Sequence, residues 1–296
     1  MIDLDIHTHL IPIHEDRLAT MPGARWLADE HALMLDDRLI GLREMFEPQR
    51  LLEWMERYGV NRVLVSIPPA AYRQELPAQA ARDWVCYLND ELFAITENSN
   101  AKMGALMYLP LEHPALIEGL LAQFGARAWA GVTIAAGGHP AIDYSAPHYA
   151  PLWSWLDAHD VFAFVHPSTC GDPRLARFSL ENLIGSPYET GLAAAHLVMA
   201  GVPGRYPRVR FCLAHAGGIF TTLVGRLQHG FATHRPGVDL QQELPLQAAR
   251  RFYADCMAHH PGVLGLAREV FGEDHILFGS GWPLPMGIED PAAVVG

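Results

Sequence analysis

Val161-Phe162-Ala163-Phe164-Val165-His166-Pro167 is a near-continuous apolar run of strand length that ends in a histidine. Such a run fits a strand buried on both faces, and strands of that kind belong to parallel sheets covered by helices. Reading outward, apolar runs of similar length recur at Asn61 to Ile67, Lys102 to Tyr108, Ala130 to Ile134, Val209 to Leu213, Arg251 to Ala254 and His275 to Phe278. The chain opens on another, Met1-Ile2-Asp3-Leu4-Asp5-Ile6-His7-Thr8-His9. Amphipathic stretches alternate with them: Glu47 to Tyr58, Ala78 to Asn98, Pro114 to Phe124, Pro151 to His159, Leu180 to Ala200, Ile219 to Thr233 and Pro261 to Phe271. Eight strands and seven helices in βα order predict an α/β fold, a (β/α)8 TIM barrel apparently lacking its last helix. The stretch after the last strand carries Pro283, Pro285 and Pro291, and the expectation is one domain over residues 1–296, truncated at Gly296 or covered on that side by another surface. Two longer segments, Pro12 to Phe46 and Ser168 to Ser179, leave strand ends on the face where barrels assemble active sites.

The totals narrow the function. Thirty-three acidic against 21 basic side chains give a net charge of −12, which disfavours nucleic acid as a partner. Cys86, Cys170, Cys212 and Cys256 are scattered without a Cys-x-x-Cys pair, arguing for a reducing compartment and against a disulfide framework. No apolar run is long enough to span a membrane, and Met1 leads straight into a strand with no leader pattern, so a cytoplasmic location is expected.

Chemistry gathers at the strand ends. His7 and His9 sit two apart on the first strand, on one face and roughly 6.6 Å apart at Cα. The fifth strand ends in His166, the sixth in His215 and the seventh in Asp255. Zinc takes neutral imidazoles and leaves a position open in catalytic sites, so His7, His9 and His166 are candidate ligands and His215 a candidate base on the next strand round. Either of His166 and His215 alone could merely cap its strand. Asp255 is read as a candidate catalytic group, with a hydrogen-bond anchor for neighbouring loops as its structural alternative. Trp26, Phe46, Tyr72 and Trp282 would suit a planar substrate or simply pack.

These residues, in this order, resemble the amidohydrolase superfamily, in the branch that contains aminocarboxymuconate semialdehyde decarboxylase and related metal-dependent decarboxylases. Beyond His7-Thr8-His9, the resemblance rests on Asn182 to Thr190, Gly201-Val202-Pro203-Gly204-Arg205-Tyr206-Pro207, His215-Ala216-Gly217-Gly218, Gly225-Arg226 and Phe278-Gly279-Ser280-Gly281-Trp282-Pro283. It implies that His7, His9 and His166 bind a divalent metal, zinc first and manganese second, and that His215 activates water or handles the proton. It also implies that Arg226 grips a substrate carboxylate across a homodimer, with Arg50 as a second grip one position out of register. The departure is Gly281, where the family carries an aspartate that touches the metal.

The expected activity is therefore decarboxylation of a small unsaturated or aromatic carboxylic acid, with activity in doubt because of Gly281. A lactonase-like hydrolase on the same metal site is the close alternative, and a catalytically disabled binding protein is the alternative from another class.

Overall fold

The structure is a computed structural model that describes residues 1–288, 290 and 291. Eight strands form one sheet in chain order: β1 (Ile2–His9), β2 (Val60–Ser66), β3 (Met103–Leu109), β4 (Gly131–Ala136), β5 (Phe162–Pro167), β6 (Arg210–Leu213), β7 (Tyr253–Asp255) and β8 (Ile276–Leu277). Every laddered neighbour is parallel. Closure onto β1 is carried by single backbone bonds, from Ile6 N to Phe278 O at 2.9 Å, Gly281 N to His7 O at 2.8 Å and His9 N to Trp282 O at 2.9 Å. Between the strands run α1 (Pro48–Tyr58), α2 (Ala78–Glu97), α3 (Pro114–Phe124), α4 (Ala150–Ala158), α5 (Ser186–Met199), α6 (Phe220–Ala232) and α7 (Pro261–Phe271). The barrel expected from the sequence is present, and no helix follows β8 among the described residues. The chain end at Gly296 lies outside them.

Two hydrophobic layers hold this arrangement. Ile6, Leu106, Phe162, Phe164, Cys212 and Ala214 fill the barrel interior. A larger layer of aliphatic and aromatic side chains, including Trp84, Phe124, Phe211 and Phe271, seals the helices against the outer strand faces. A strand such as β5 is apolar throughout because both of its faces are covered. Among the described residues no helix is long and apolar enough to cross a membrane.

The segment Pro12 to Phe46 holds a feature absent from the sequence reading. Ala24–Leu27, Ala32–Leu35 and Arg38–Ile40 form a three-stranded antiparallel sheet. Asp36 and Asp37, at φ 45° and 64°, make the two-residue turn between the last two strands, the left-handed geometry that short hairpins demand. Asp36 anchors this sheet to the barrel rim: Arg73 donates from Nε to Oδ2 and from Nη2 to Oδ1, each at 2.6 Å. The Arg73 guanidinium also lies over the Trp84 ring, 4.9 Å from its centroid.

Candidate metal centre

The rings of His7, His9 and His166 come together at the C-terminal mouth of the barrel, with centroids 4.9–5.0 Å apart. One extra residue in β1, between Asp5 and Thr8 in the register with β2, makes a bulge that re-aims this end of the strand. Asp5 supports the bulge by accepting the amides of His7 and Ser280, each at 3.0 Å. Gly279 permits the close approach of β8, because a Cβ there would meet the Cβ atoms of both His7 and Asp255 at 2.9 Å.

Each imidazole is held from behind. His7 Nδ1 lies 2.7 Å from Asp255 Oδ2, His166 Nδ1 is 2.9 Å from the Pro167 carbonyl, and His9 Nδ1 is 3.0 Å from Ser66 Oγ. A carbonyl and a carboxylate only accept, so His7 and His166 carry their protons on Nδ1. Ser66 Oγ donates to Thr8 O at 3.2 Å, which makes His9 Nδ1 the donor to Ser66 as well. All three Nε2 atoms are then left as lone pairs. His7 Nε2 and His9 Nε2 face each other at 3.1 Å, His166 Nε2 is buried without a partner, and ligating atoms of the three rings lie within 4.8 Å of one another. Tetrahedral zinc–imidazole bonds place neighbouring nitrogens about 3.3 Å apart, so the donor set fits a divalent cation. Burial pulls the pKa of His9 and of His166 well below the ordinary value, and neighbouring imidazoles add to it, which keeps both rings neutral and ready to ligate.

His215 stands beside this group, its ring 5.5 Å from that of His166 and 5.8 Å from that of His7. It begins a turn in which His215, Ala216, Gly217 and Gly218 all have positive φ. Asp255 Oδ1 holds the turn by accepting Ala216 N at 2.8 Å and also takes Met257 N at 3.0 Å. Burial lowers the His215 pKa to about 4 against the opposing pull of Asp255, and its Nδ1 has no partner. Burial also works to raise the Asp255 pKa, but the bond from His7 and the surrounding imidazoles outweigh it and leave a carboxylate below its usual value.

These nitrogens open onto a cleft of about 530 Å³ lined by His7, His166 and His215 together with Arg38, Ser168, Asn182 and Met257. A larger, more apolar hollow of about 800 Å³ lies between α3 and α4, but it carries no such chemistry. Arg38, on the rim sheet, is a cleft residue that sequence reasoning missed. Its only sequence signal is its place two residues after Asp36, which becomes legible once the hairpin turn is recognised.

Of the other residues singled out from the sequence, Asp255, Arg50, Trp282 and Arg226 lie outside the cleft lining and Gly281 is part of it. Asp255 bonds to His7 Nδ1 and to two backbone amides, the contacts of an anchor. Arg50, half-buried at the start of α1, is paired with Glu47 at 2.6 Å and Glu44 at 3.8 Å. Trp282 is 9% exposed and packs toward Trp54, with ring centroids 6.4 Å apart. Arg226 is exposed on α6 and does not line this chain's cleft. Gly281 lines the cleft at φ 70°, and a Cβ on it would meet Met257 Cε at 2.7 Å and Sδ at 2.9 Å.

Behind the cleft wall lies a second polar group. Ser168 Oγ donates to Gln74 Oε1 at 2.6 Å, and Gln74 Nε2 donates to Gly137 O at 3.2 Å. Glu112 sits nearby, its Oε2 buried without a partner and its pKa raised by burial to about 7.

The chain matches a model of the family described as Amidohydrolase over residues 4–296. It is 24% identical to the 2-amino-3-carboxymuconate-6-semialdehyde decarboxylase of Dictyostelium discoideum over 308 aligned positions, 99% of this chain and 85% of that protein. Among solved structures, the 5-carboxyvanillate decarboxylase of Sphingomonas paucimobilis superposes with a TM-score of 0.80 at 18% identity, covering 97% of this chain and 91% of that one. A dihydroxybenzoic acid decarboxylase from a Polaromonas species, solved with bound manganese and 2-nitroresorcinol, gives 0.76 at 20% identity over 96% and 87%. At such identities the structural likenesses speak for the fold.

Proposed function

The chain belongs to the amidohydrolase family, and from that footing we propose that it is a divalent-metal-dependent decarboxylase of a small aromatic or unsaturated carboxylic acid. The observation that carries this reading is the convergence of three lone-pair Nε2 atoms beside His215, in a cleft that also receives Arg38. A cation held by His7, His9 and His166 would supply Lewis acidity to an oxygen substituent of the substrate. Zinc suits the all-imidazole donor set, with manganese as the alternative carried by the Polaromonas relative.

Decarboxylation replaces CO2 by a proton on the same carbon. His215, neutral near pH 7, is the group for this: it accepts a proton from a substrate hydroxyl or water and returns it to the carbon that keeps the bonding pair. Arg38 grips a substrate carboxylate from the rim, in the place Arg50 was expected to take. Asp255 positions His7 and the His215 turn.

A homodimer is part of the proposal. Tyr188 and Leu192 on α5 and Leu223 on α6 are exposed apolar side chains, and Arg226 is exposed one turn beyond Leu223, where it could serve a neighbouring copy. The free thiols fit a cytoplasmic setting.

The test is CO2 release from a panel of hydroxybenzoates by protein loaded with zinc or manganese, beside hydrolysis of aryl lactones. Decarboxylation abolished by His215→Ala supports the reading. Lactone hydrolysis alone selects the hydrolase, and neither activity in well-loaded protein selects the binding protein.

A further inference from the structure

The Ser168 hydroxyl, at the boundary between the cleft and the polar group behind it, has its hydrogen already assigned. Gln74 Nε2 lies 3.2 Å from Gly137 O, and a carbonyl only accepts, so the amide nitrogen must stand on that side and Oε1 must face Ser168. The 2.6 Å bond between Ser168 Oγ and Gln74 Oε1 therefore uses the one hydrogen the serine has. Both side chains are buried, and Gly138 packs against the pair at φ 85°, where a Cβ would overlap Gln74 Oε1 and Ser168 Oγ. A free hydroxyl rotates to donate or to accept, but Ser168 has lost that choice. What it offers on the wall it shares with His7, His166 and His215 is lone pairs, while Gln74 does not line the cleft.

We propose that Ser168 is a specificity-determining residue of this cleft: an acceptor-only contact, set by Gln74, that selects an acid carrying a hydrogen-bond donor, a ring hydroxyl or an amino group, where the molecule meets the wall after β5. A donor there pairs with the serine oxygen, whereas an ether, a nitro group or a second carboxylate brings an acceptor against an acceptor and leaves both unpaired. Arg38 and the cation, in the proposed function, take electron-rich groups. Ser168 sets the opposite preference, and with it which way round the ring lies. This deepens the proposed function and rests on its substrate class, not on the reaction.

The experiment is calorimetry on zinc-loaded protein with a series of dihydroxybenzoates that differ in where the second hydroxyl sits, each beside its methyl ether at that hydroxyl. In the wild type, at least one member should bind about tenfold more tightly than its ether. Ser168→Ala should bring that ratio within about twofold. Gln74→Leu, which cannot touch the ligand, frees the serine hydrogen to meet an ether oxygen, so the ratio should fall there as well, through tighter binding of the ether. Glu181→Gln, at the one carboxylate that lines the cleft among the described residues, should keep the wild-type ratio. No preference at any ring position, a preference that survives Ser168→Ala, one that is lost in Glu181→Gln, or a Gln74→Leu variant that weakens hydroxyl and ether in proportion would each overturn the proposal. Failure of every dihydroxybenzoate to bind would overturn it together with the substrate class. CO2 release is assayed separately, so a hydroxyl preference in protein that releases no CO2 upholds this contact and sinks only the reaction.

Discussion

Asp255 Oδ2 lies 2.7 Å from His7 Nδ1 while Oδ1 accepts the amides of Ala216 and Met257, so one buried carboxylate orients a ligand ring and fixes the turn that presents His215. Removing it frees the His7 ring and leaves two buried amides unpaired. Asp255→Ala should weaken zinc binding by about 10- to 100-fold, measured by competition with a chromophoric chelator. Unchanged affinity would mean that His7 does not depend on its carboxylate.

Arg38 is the only arginine or lysine lining the cleft among the described residues. A hydrogen bond from a guanidinium to a carboxylate contributes about 1.5–3 kcal/mol, so Arg38→Leu should weaken binding of an aromatic carboxylate by roughly 10- to 100-fold. Calorimetry on metal-loaded protein reads this directly, and Arg50→Leu, whose partners are Glu47 and Glu44, is the control expected to bind normally.

The rim sheet hangs on Arg73, whose side chain is 4% exposed while that of Asp36 is 51% exposed. Asp36→Ala removes the charged partner of a buried guanidinium and leaves it the Pro22 carbonyl at 2.6 Å and the Trp84 face, and solvent at the aspartate side further moderates the loss. A stability decrease of about 2 kcal/mol in urea unfolding is expected. A loss of carboxylate affinity should accompany it, because Arg38 is carried on the same hairpin. Stability unchanged within error would rule out the anchor.

Glu112 has a folded pKa raised to about 7, above its unfolded value, so the folded state binds the extra proton between those limits. Stability from this group is therefore lost as pH rises from about 4.5 to 7. Glu112→Gln, fixed as neutral, should be more stable than the wild type at pH 8 by about 3 kcal/mol, and the two should converge below pH 4.5. Parallel stability curves across that range would show that Glu112 titrates normally.

The barrel was legible because β5 and its fellow strands are apolar on both faces and spaced by helical patterns, and the observed ends fall within about two residues of the expected ones in most strands. The cluster of His7, His9, His166 and His215 was legible for a related reason: a histidine closing an apolar run must stand at the barrel mouth. What escaped depends on contacts distant in the chain. Nothing local marks Arg38 as a cleft residue, since its position follows from Asp36 meeting Arg73. Nothing local assigns Met257 to the space beside Gly281. For Asp255 the sequence left a reacting group and an anchor both open, because strand-end position says which end of the barrel a side chain occupies, not which partner it takes.

The antiparallel sheet of residues 24–40 meets the barrel through Asp36 and Arg73, while every imidazole of the metal cluster is rooted in a barrel strand. If Arg38 selects the acid as proposed, that recognition and the reactivity sit on separate modules. On that proposal, grafting this hairpin between related barrels should change which acid is bound while the imidazole cluster beneath stays as it is.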